Sequence, residues 1–314
     1  MASHRNGETS HTILIPTKDR PRSLKRAVAS AVAALGERGE ILVVDDHGSI
    51  RASETLASFN DPRLRIVENE GCGGAASARN FGISRSRGEV IFLLDDDDEL
   101  ISGYCSRVLS GYLAEYPSLG YGFSAYLQTV DPPGERAQTD IPRLRARMPH
   151  GVVPHHAPLG KRLCGFGFGF WIRRSVLETV GEIDEDFTVQ EDTDYVCRLI
   201  GKGVPAWYSS EPGVVIHSHG GDGTRELGHL TQRVSPAEKA RCLRRLCAKH
   251  PAMIDHLGVR YLKHLLRSRL IDDAWAFANG APSLYLRAKF TQFILVKYPA
   301  YALRGKVRYR RQAV

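Results

Sequence analysis

The sequence predicts an α/β protein with a Rossmann-like nucleotide-binding half, a central and mostly parallel sheet, and a C-terminal helical appendage. Three features carry this prediction. In the first third of the chain, short apolar runs rich in β-branched residues alternate with helical patterns, and one of these runs ends in four consecutive aspartates. From Ser235 onward, runs rich in Leu, Arg and Ala are typical of helices.

The first four predicted strands alternate with three predicted helices. Such a series of βαβ units implies parallel strands joined by right-handed crossovers. The strands are Thr12–Ile15, Ile41–Val44, Leu64–Val67 and Val90–Leu94, and the helices are Leu24–Leu35, Glu54–Phe59 and Ala75–Ser84. We therefore expect one domain over residues 11–220, divided into a nucleotide-binding half (11–117) and a catalytic half (118–220), and a helical region over residues 235–314.

After Pro117 the pattern changes to mixed strands. The polar segment Asp131–Pro158 is rich in Pro, Arg and His, and its length suits either a mobile lid or a disordered insertion. The segment Gly165–Ile172 alternates glycine with aromatic residues. This alternation predicts a strand that a ligand or another backbone approaches closely.

The composition fits a globular protein that buries a substantial core. The chain has 314 residues, of which 42% are hydrophobic and 25% are charged. No apolar run approaches the roughly 20 residues of a membrane span, and the polar start Met1–Ser10 lacks the apolar core of a signal peptide. We therefore expect a cytoplasmic protein. The six cysteines follow no zinc or redox spacing, which favours reduced structural thiols.

The net charge of +8 is concentrated at the C-terminal end, where no acidic residue follows Asp273. The basic residues of this segment are Arg287, Lys289, Lys297, Arg304, Lys306, Arg308, Arg310 and Arg311. Aromatic residues are interleaved with them, so segment 287–314 could contact an anionic membrane, bind nucleic acid or form a solvated helix face, and the first is favoured. Without an RNP, KH, zinc-finger or helix-turn-helix pattern, we expect no specific nucleic-acid partner. The oligomeric state stays open.

Four aspartates, Asp95, Asp96, Asp97 and Asp98, follow the apolar run Val90–Leu94 directly. Neighbouring carboxylates repel one another unless a cation is present, and hard oxygen ligands suit Mg²⁺ or Mn²⁺. Open α/β sheets bind their ligands at the carboxyl ends of strands. We therefore favour a metal site over the alternative of a solvated acidic turn.

Two further clusters of polar residues could belong to the same site. Glu191 and Asp192 lie at the start of a predicted helix, where they could take part in chemistry or only stabilise the helix N-terminus. The apolar run Val214–Ile216 leads into His217 and His219, which could complete a metal shell or contact a diphosphate. For either histidine a structural role is about equally well supported.

A glycine-rich turn, Gly71–Gly74, opens a predicted helix and can be read as a GxGxxA dinucleotide fingerprint. That fingerprint belongs to the first βα turn of its unit. The first turn here, Pro16–Pro21, has no glycine, which argues against a dinucleotide site. The glycine-rich turn is therefore either a phosphate cradle or a flexible loop.

A set of ordered motifs resembles those of the inverting glycosyltransferases of family 2, which have the GT-A fold. The motifs are Thr12–Thr17 (TILIPT), Ile41–Asp46 (ILVVDD), Ala78–Gly82 (ARNFG), Arg87–Asp98 (RGEVIFLLDDDD), and Val180–Phe187 (VGEIDEDF) followed by Glu191 and Asp192. Each motif alone is a weak signal, whereas their common order and spacing are specific. The resemblance covers about residues 11–220. It implies metal-dependent transfer of a sugar, with inversion, from a nucleoside diphosphate donor, by default UDP, to an acceptor hydroxyl.

The resemblance also implies roles for individual residues. The nucleotide-sugar would be bound by Pro16, Thr17, Asp46, Arg79, Asp95 and Asp96. Asp46 would contact the base, and Asp96 the ribose or diphosphate. Asp97 would be the ligand for Mn²⁺ or Mg²⁺, and His217 and His219 are further candidates only because they follow the apolar run Val214–Ile216. Asp192 would be the catalytic base beside Glu191, and the acceptor would be a glycan or a lipid-linked molecule of cell-surface polysaccharide or glycolipid synthesis.

The chain departs from the family pattern in its first two loops. Lys18 and Asp19 stand where relatives often carry an aromatic residue and an asparagine, and His47 has no counterpart role. Three other classes of protein stay open, and one of them is a nucleic-acid-binding protein that would associate through the basic C-terminal segment. A sugar-nucleotidyltransferase has a similar nucleotide half and strand-end carboxylates, although its first loop is typically rich in glycine and basic residues. A non-catalytic nucleotide-sugar-binding protein could retain the whole fold.

Overall fold

The computed structural model describes residues 10–131, 141–143, 148–219 and 234–310, with their side chains except at 130, 131, 141–143, 218, 219 and 300–310. The Cα positions divide the chain into two compact units, Met1–His229 and Leu230–Val314. The described strands lie in the first unit, and the described elements of the second are helices.

A ten-stranded sheet forms the centre of the first unit. Its strands are β1 (His11–Thr17), β2 (Gly39–Asp45), β3 (Leu64–Glu68), β4 (Val90–Leu93), β5 (Glu99–Leu100), β6 (Tyr121–Asp131), β7 (Ile141–Arg143), β8 (Gly151–Val152), β9 (Trp171–Arg173) and β10 (Ala206–His219). They are ordered β3-β2-β1-β4-β9-β6-β10-β5, with β7 beside β6 and β8 beside β10. The pairs among β1 to β4 are parallel, as is β6 with β10, whereas β9 is antiparallel to β4 and β6.

Helices cross over between the first four strands and continue through the second half of this unit. They are α1 (Pro21–Ala34), α2 (Ala52–Thr55), α3 (Ala75–Arg85), α4 (Tyr104–Ser106), α5 (Leu113–Glu115), α6 (Leu159–Arg162), α7 (Arg174–Val180) and α8 (Glu191–Gly201), with a π-helical stretch, Arg107–Tyr112, before α5. The buried positions of α1, Leu24, Ala27, Val28 and Ala31, recur three or four residues apart. This spacing gives the helix one apolar side, which joins the core of the unit.

The strand order creates a switch point beside β1. The chain places β2 and β3 on one side of β1 and β4 on the other. Because β1, β2 and β4 are parallel, the residues that follow their last positions, Thr17, Asp45 and Leu93, emerge at the same edge of the sheet. Open α/β sheets bind ligands at such a point.

The first four predicted strands and the helices after the first and third of them are confirmed, whereas the helix predicted over Glu54–Phe59 is the short turn of helix Ala52–Thr55. The prediction for Gly165–Ile172 is wrong over most of its length. Residues 165–170 form a loop with a turn, and β9 begins only at Trp171. Glycine permits this turn, because Gly169 has a φ of +58° and its Cβ position would lie 2.4 Å from Ser124 Oγ.

The segment Asp131–Pro158 is not a loop throughout. Its described parts include β7 and β8, which pair with β6 and β10. Residues 132–140 and 144–147, on which the choice between lid and insertion depends, lie outside the described residues.

The second unit contains α9 (Pro236–Lys249), a 3₁₀ turn (Pro251–Met253), α10 (Ile254–Arg267), α11 (Ile271–Asn279) and α12 (Leu284–Arg310). The phenyl rings of Phe277 and Phe290 stack with centroids 5.4 Å apart, and Ile294 is also buried. The basic segment is therefore not a separate tail from Arg287 onward. It belongs to a helix that begins upstream and contributes to the core of this unit.

Two further expectations concern the whole chain. Within the described ranges, none of the helices has both the length and the apolar character needed to cross a membrane. All six cysteines are free and four of them are buried, as expected for reduced structural thiols.

Substitution of Gly82 tests the close packing of α3 on the sheet. A Cβ at this position would lie 2.3 Å from Leu14 Cδ1 and 2.8 Å from Val44 Cγ2, both in fully buried strands. We expect Gly82→Ala to lower the free energy of unfolding by about 1–3 kcal/mol, since overpacking outweighs the better helix propensity of alanine. Urea unfolding measures this change. Gly201→Ala, where no atom lies within 4 Å, is the control and should be neutral or stabilising.

Candidate active site

The Asp46 carboxylate lies just beyond the end of β2, at the edge of the sheet where ligands are expected to bind. Its Oδ1 accepts a hydrogen bond of 2.8 Å from Asn69 Nδ2, and its Oδ2 accepts one of 2.8 Å from the backbone N–H of Gly74. Asn69 follows β3 and Gly74 precedes α3, so Asp46 holds the glycine-rich turn at the edge of the sheet. The neighbouring Asp45 differs, because its carboxylate accepts from the backbone N–H groups of Gly48 and Ala52 and so fixes its own loop.

The strand-end aspartates meet the loop that follows β1. Arg20 Nη1 lies 2.7 Å from Asp96 Oδ1 and 2.8 Å from Asp97 Oδ2. Thr17 Oγ1 donates a hydrogen bond of 2.7 Å to Asp96 Oδ2. Thr17 was predicted to bind the nucleotide-sugar and here contacts the aspartates, while Pro16, half-buried within β1, pairs with Val44 of β2.

Burial sets the electrostatics of this cluster. Asp96, Asp97 and Asp98 are all buried. Burial raises the pKa of Asp96 to about 6, although the positive charge of Arg20 opposes the shift. Burial, with the charges of Asp97 and Asp95 adding to it, raises the pKa of Asp98 well above its ordinary value. The cluster therefore carries more buried acid than Arg20 alone neutralises.

Arg79 of α3 connects the aspartates to the start of α8. Its Nη2 lies 2.8 Å from Asp95 Oδ1 and its Nη1 lies 2.9 Å from Glu191 Oε1. Arg79 is only 6% exposed, and its guanidinium lies 5.3 Å from the centroid of the Phe166 ring. One buried cation thus joins two acidic segments that are far apart in the sequence.

The glycine-rich loop 165–169 lies between the two acidic segments. The Cβ position of Gly165 would be 3.0 Å from Asp192 Oδ2, and that of Gly167 would be 2.9 Å from Asp95 Oδ2. Asp192 is half-buried in the first turn of α8 and Asp95 follows β4. The backbone of this loop therefore approaches both carboxylates more closely than any residue with a side chain could.

His217 lies beside the aspartates, but its ring contacts another residue. Its backbone N–H donates to Asp98 Oδ1 over 3.2 Å, and its Nε2 is 2.6 Å from Glu99 Oε1. The side chain of His219 lies outside the described residues. The assignment of either histidine to a metal stays a prediction.

The fit of the cluster to a divalent ion follows from its donors. Among the residues that the structure describes, no three His, Cys, Asp or Glu side chains are grouped as a complete metal site. Mg²⁺ at nucleotide sites commonly takes only one or two carboxylates, and substrate phosphates and water complete its shell. Burial and mutual repulsion destabilise the carboxylate forms of Asp96 and Asp98, and a divalent ion would offset both effects. Asp97 and a neighbouring aspartate would then hold the ion.

Residues 12–181 match the family model described as glycosyl transferase family 2, which is more than half of the chain. The chain belongs to glycosyl transferase family 2. The matched region includes the ends of β1, β2 and β4, the aspartate cluster, Arg79 and the loop 165–169. Glu191 and Asp192 lie beyond it.

Curated relatives of this family 2 chain match it over about a third of its length. The Escherichia coli UDP-Glc:alpha-D-GlcNAc-diphosphoundecaprenol beta-1,3-glucosyltransferase WfgD is 29% identical over 111 residues, which are 35% of this chain and 44% of that protein. The Campylobacter jejuni GalNAc(5)-diNAcBac-PP-undecaprenol beta-1,3-glucosyltransferase is 30% identical over 101 residues, 31% of this chain and 33% of that protein. The chain therefore spans less than half the length of these relatives.

Solved structures confirm the GT-A-like fold. The crystal structure of S. aureus TarS 1–349 in complex with UDP-GlcNAc superposes with a TM-score of 0.68 at 15% sequence identity. The match covers 94% of this chain and 92% of that one. At this identity the likeness concerns the fold alone.

Sequence reasoning missed two residues that hold this site in the family 2 chain. Arg20 lies in the first βα turn, whose lack of glycine argues only against a dinucleotide site. Asn69 directly follows a predicted strand, and this position could have pointed to the same edge of the sheet. Neither belongs to the motifs that carried the resemblance.

The protonation of Glu191 gives a test of this electrostatic arrangement. Burial raises its pKa to about 7, and the charge of Arg79 opposes the shift while that of Asp192 adds to it. Since the folded state holds this proton more tightly than the unfolded state, the free energy of unfolding should fall as the pH rises from about 4.5 to 7. Glu191→Gln removes this titration.

We therefore expect the stability of the wild type, relative to Glu191→Gln, to fall by about 2–3 kcal/mol between pH 5 and pH 8. Urea unfolding of both proteins at the two pH values measures the difference. Glu182→Gln, at an exposed position, should follow the wild type at both pH values. Parallel pH profiles for wild type and Glu191→Gln would refute the shifted pKa.

Proposed function

We propose that this chain is a metal-dependent inverting glycosyltransferase that moves a sugar from a UDP-sugar to a hydroxyl of a glycan or lipid-linked acceptor. The observation that carries the proposal is the Arg79 bridge, with contacts of 2.8 Å to Asp95 and 2.9 Å to Glu191. The bridge supports a single site in which the aspartate cluster and the start of α8 are the two walls. A donor held on the first wall would then face Asp192 on the second.

The donor would extend from Asp46 to the aspartate cluster. Asp46, Asn69 and Gly74 form a hydrogen-bonded polar cluster at the end of β2, and this cluster supports placing the nucleobase there. The diphosphate would lie along Asp95, Asp96 and Asp97. Relatives favour UDP, since the E. coli protein is named for UDP-Glc and TarS was crystallised with UDP-GlcNAc.

Asp97 would hold Mn²⁺ or Mg²⁺ together with oxygens of the donor diphosphate. The ion would supply positive charge against the negative charge that accumulates on the departing nucleoside diphosphate. Arg20, which lies 2.8 Å from Asp97 Oδ2, provides a second positive charge at this wall.

Asp192 is suited to act as the general base. The acceptor hydroxyl would lose its proton to the Asp192 carboxylate while its oxygen bonds to the anomeric carbon, and the bond from that carbon to the UDP oxygen breaks. Attack from the side opposite the leaving group inverts the anomeric configuration. Glu191, whose Oε1 is 2.9 Å from Arg79, would position Asp192 by fixing the first turn of α8.

The acceptor is proposed to be linked to a lipid at the cytoplasmic face of a membrane. The two undecaprenol-diphosphate relatives support this proposal by their names. Synthesis of a cell-surface polysaccharide or glycolipid is the corresponding cellular role. Segment 287–314 is proposed to provide a peripheral contact with the membrane, because its eight basic residues are not balanced by acidic ones.

Two substitutions separate donor binding from chemistry. Asp97→Ala should abolish the Mn²⁺-dependent part of UDP binding and nearly all turnover, because the site loses an ion ligand. Asp192→Asn should leave UDP binding unchanged and lower turnover by about 10²-fold or more, as expected for loss of a general base. Calorimetric titration with UDP and an assay of UDP release from a panel of UDP-sugars measure the two effects.

The exposed Asp186, six residues before Asp192, provides the control, and Asp186→Asn should bind and turn over normally. Normal turnover of Asp192→Asn would mean that Asp192 only stabilises the helix N-terminus. Unchanged UDP affinity of Asp97→Ala in the presence of Mn²⁺ would contradict the metal assignment. Release of pyrophosphate instead of UDP would identify a nucleotidyltransferase.

A further inference from the structure

Helix α12 of the second unit carries a concentration of exposed apolar side chains. Of the nine large apolar residues that are exposed in the described part of the chain, five belong to this one helix. They are Leu284 (81% exposed), Tyr285 (67%), Leu295 (61%), Val296 (61%) and Tyr298 (42%). Scattered exposed apolar residues need no explanation, but a cluster of this kind marks an interaction surface.

Helical spacing places most of these residues on one side. Leu284 and Leu295 are eleven residues apart, as are Tyr285 and Val296. Eleven residues make about three turns of an α-helix, so the two pairs lie along the same side and extend over more than 15 Å at about 1.5 Å per residue. We call Leu284, Tyr285, Leu295 and Val296 the outer face of α12.

A different side of α12 already packs in the second unit. Leu286, Phe290 and Ile294 recur every four residues and are 8%, 0% and 1% exposed. This spacing defines a separate stripe of the same helix. The helix is therefore held in the unit by its inner stripe. The outer face is an additional apolar surface and not a part of the core that happens to be loosely packed.

The charge around the outer face is positive. At about 100° per residue, Arg287 lies beside one edge of the outer face and is exposed, and Lys289 lies beside the other edge and pairs with Asp255. Lys297 is also exposed, but on the side of the inner stripe. In the sequence, all eight charged residues after Asp273 are basic. An apolar face flanked by basic residues is typical of a helix that lies in the interface of an anionic bilayer. A second copy of this chain would bring like charges together, which disfavours self-association through the same face.

We propose that the outer face of α12 binds the surface of an anionic membrane, with its apolar side chains inserted at the level of the lipid headgroups. This proposal deepens the proposed function, since it would bring the enzyme to a lipid-linked acceptor. It also assigns the apolar part of the expected membrane contact to a defined side of α12. The apolar side chains provide the larger part of the affinity, and the basic residues select anionic lipid.

The test is sedimentation of the full chain with vesicles of equal parts phosphatidylcholine and phosphatidylglycerol. Leu295→Gln/Val296→Gln removes half of the outer face and keeps good helix propensity at both positions. We expect this double variant to bind at least about tenfold more weakly than the wild type, a loss of about 1.4 kcal/mol. Val152→Gln, at a position 45% exposed in the first unit, is the matched control and should bind normally.

The accompanying measurements keep the outcomes distinct. Wild type and double variant should have the same thermal unfolding temperature. If the double variant is less stable, Leu284→Gln, at the first residue of α12, is used in the vesicle test in its place. Vesicles of phosphatidylcholine alone should bind the wild type more weakly than the mixed vesicles. UDP binding and UDP release should be unchanged in the variants, so failure of the membrane proposal is separate from failure of the proposed glycosyl transfer.

Equal vesicle binding by wild type and double variant would overturn the proposal, as would a wild type that does not sediment with the mixed vesicles. Light scattering, which measures the oligomeric state, gives a third decisive result. If the wild type is a dimer and the double variant a monomer, the outer face joins two copies of the chain and does not bind lipid.

Discussion

Neutralisation of buried acid by two arginines is the interaction on which the site depends. The ends of the strands and the start of α8 bring several carboxylates out of water, and such groups are costly to bury unless they are paired. Arg20 pairs with Asp96 and Asp97, and Arg79 pairs with Asp95 and Glu191. Removing one partner of a buried pair typically costs about 3–5 kcal/mol, so these contacts also fix the segments that carry them.

The position of the Arg79 pair depends on how α3 packs on the sheet. Arg79 projects from α3, and that helix lies against the sheet because Gly82 has no side chain to separate it from Leu14. Close packing of one helix thereby sets the position of the cation that joins the two acidic walls. The loop 165–169 follows the same principle, since Gly165 and Gly167 let backbone approach the carboxylates directly.

Local patterns in the sequence were sufficient for the strands, the crossover helices and the positions of the acidic segments. Apolar runs such as Val90–Leu94 and a helix start such as Glu191 are encoded by neighbouring residues. Pairings between distant residues are not. Arg20 and Asp96 are 76 residues apart, and Arg79 and Glu191 are 112 apart. The sequence therefore does not predict Arg20 as a residue of the site. It predicts Arg79 only as a nucleotide-sugar-binding residue and not as the link between Asp95 and Glu191. The strand predicted over Gly165–Ile172 begins only at Trp171, because alternating glycines permit a turn as readily as a strand.

One nucleotide-sugar is proposed to span the two walls that Arg79 joins. A crystal structure with a UDP-sugar analogue and Mn²⁺ tests this most directly. We expect the base beside Asp46, the diphosphate and ion at Asp97, and the anomeric carbon facing Asp192 from the side opposite the leaving oxygen. A nucleotide bound away from Asp46 and Asp97, or Asp192 on the same side of the sugar as the diphosphate, would contradict the account.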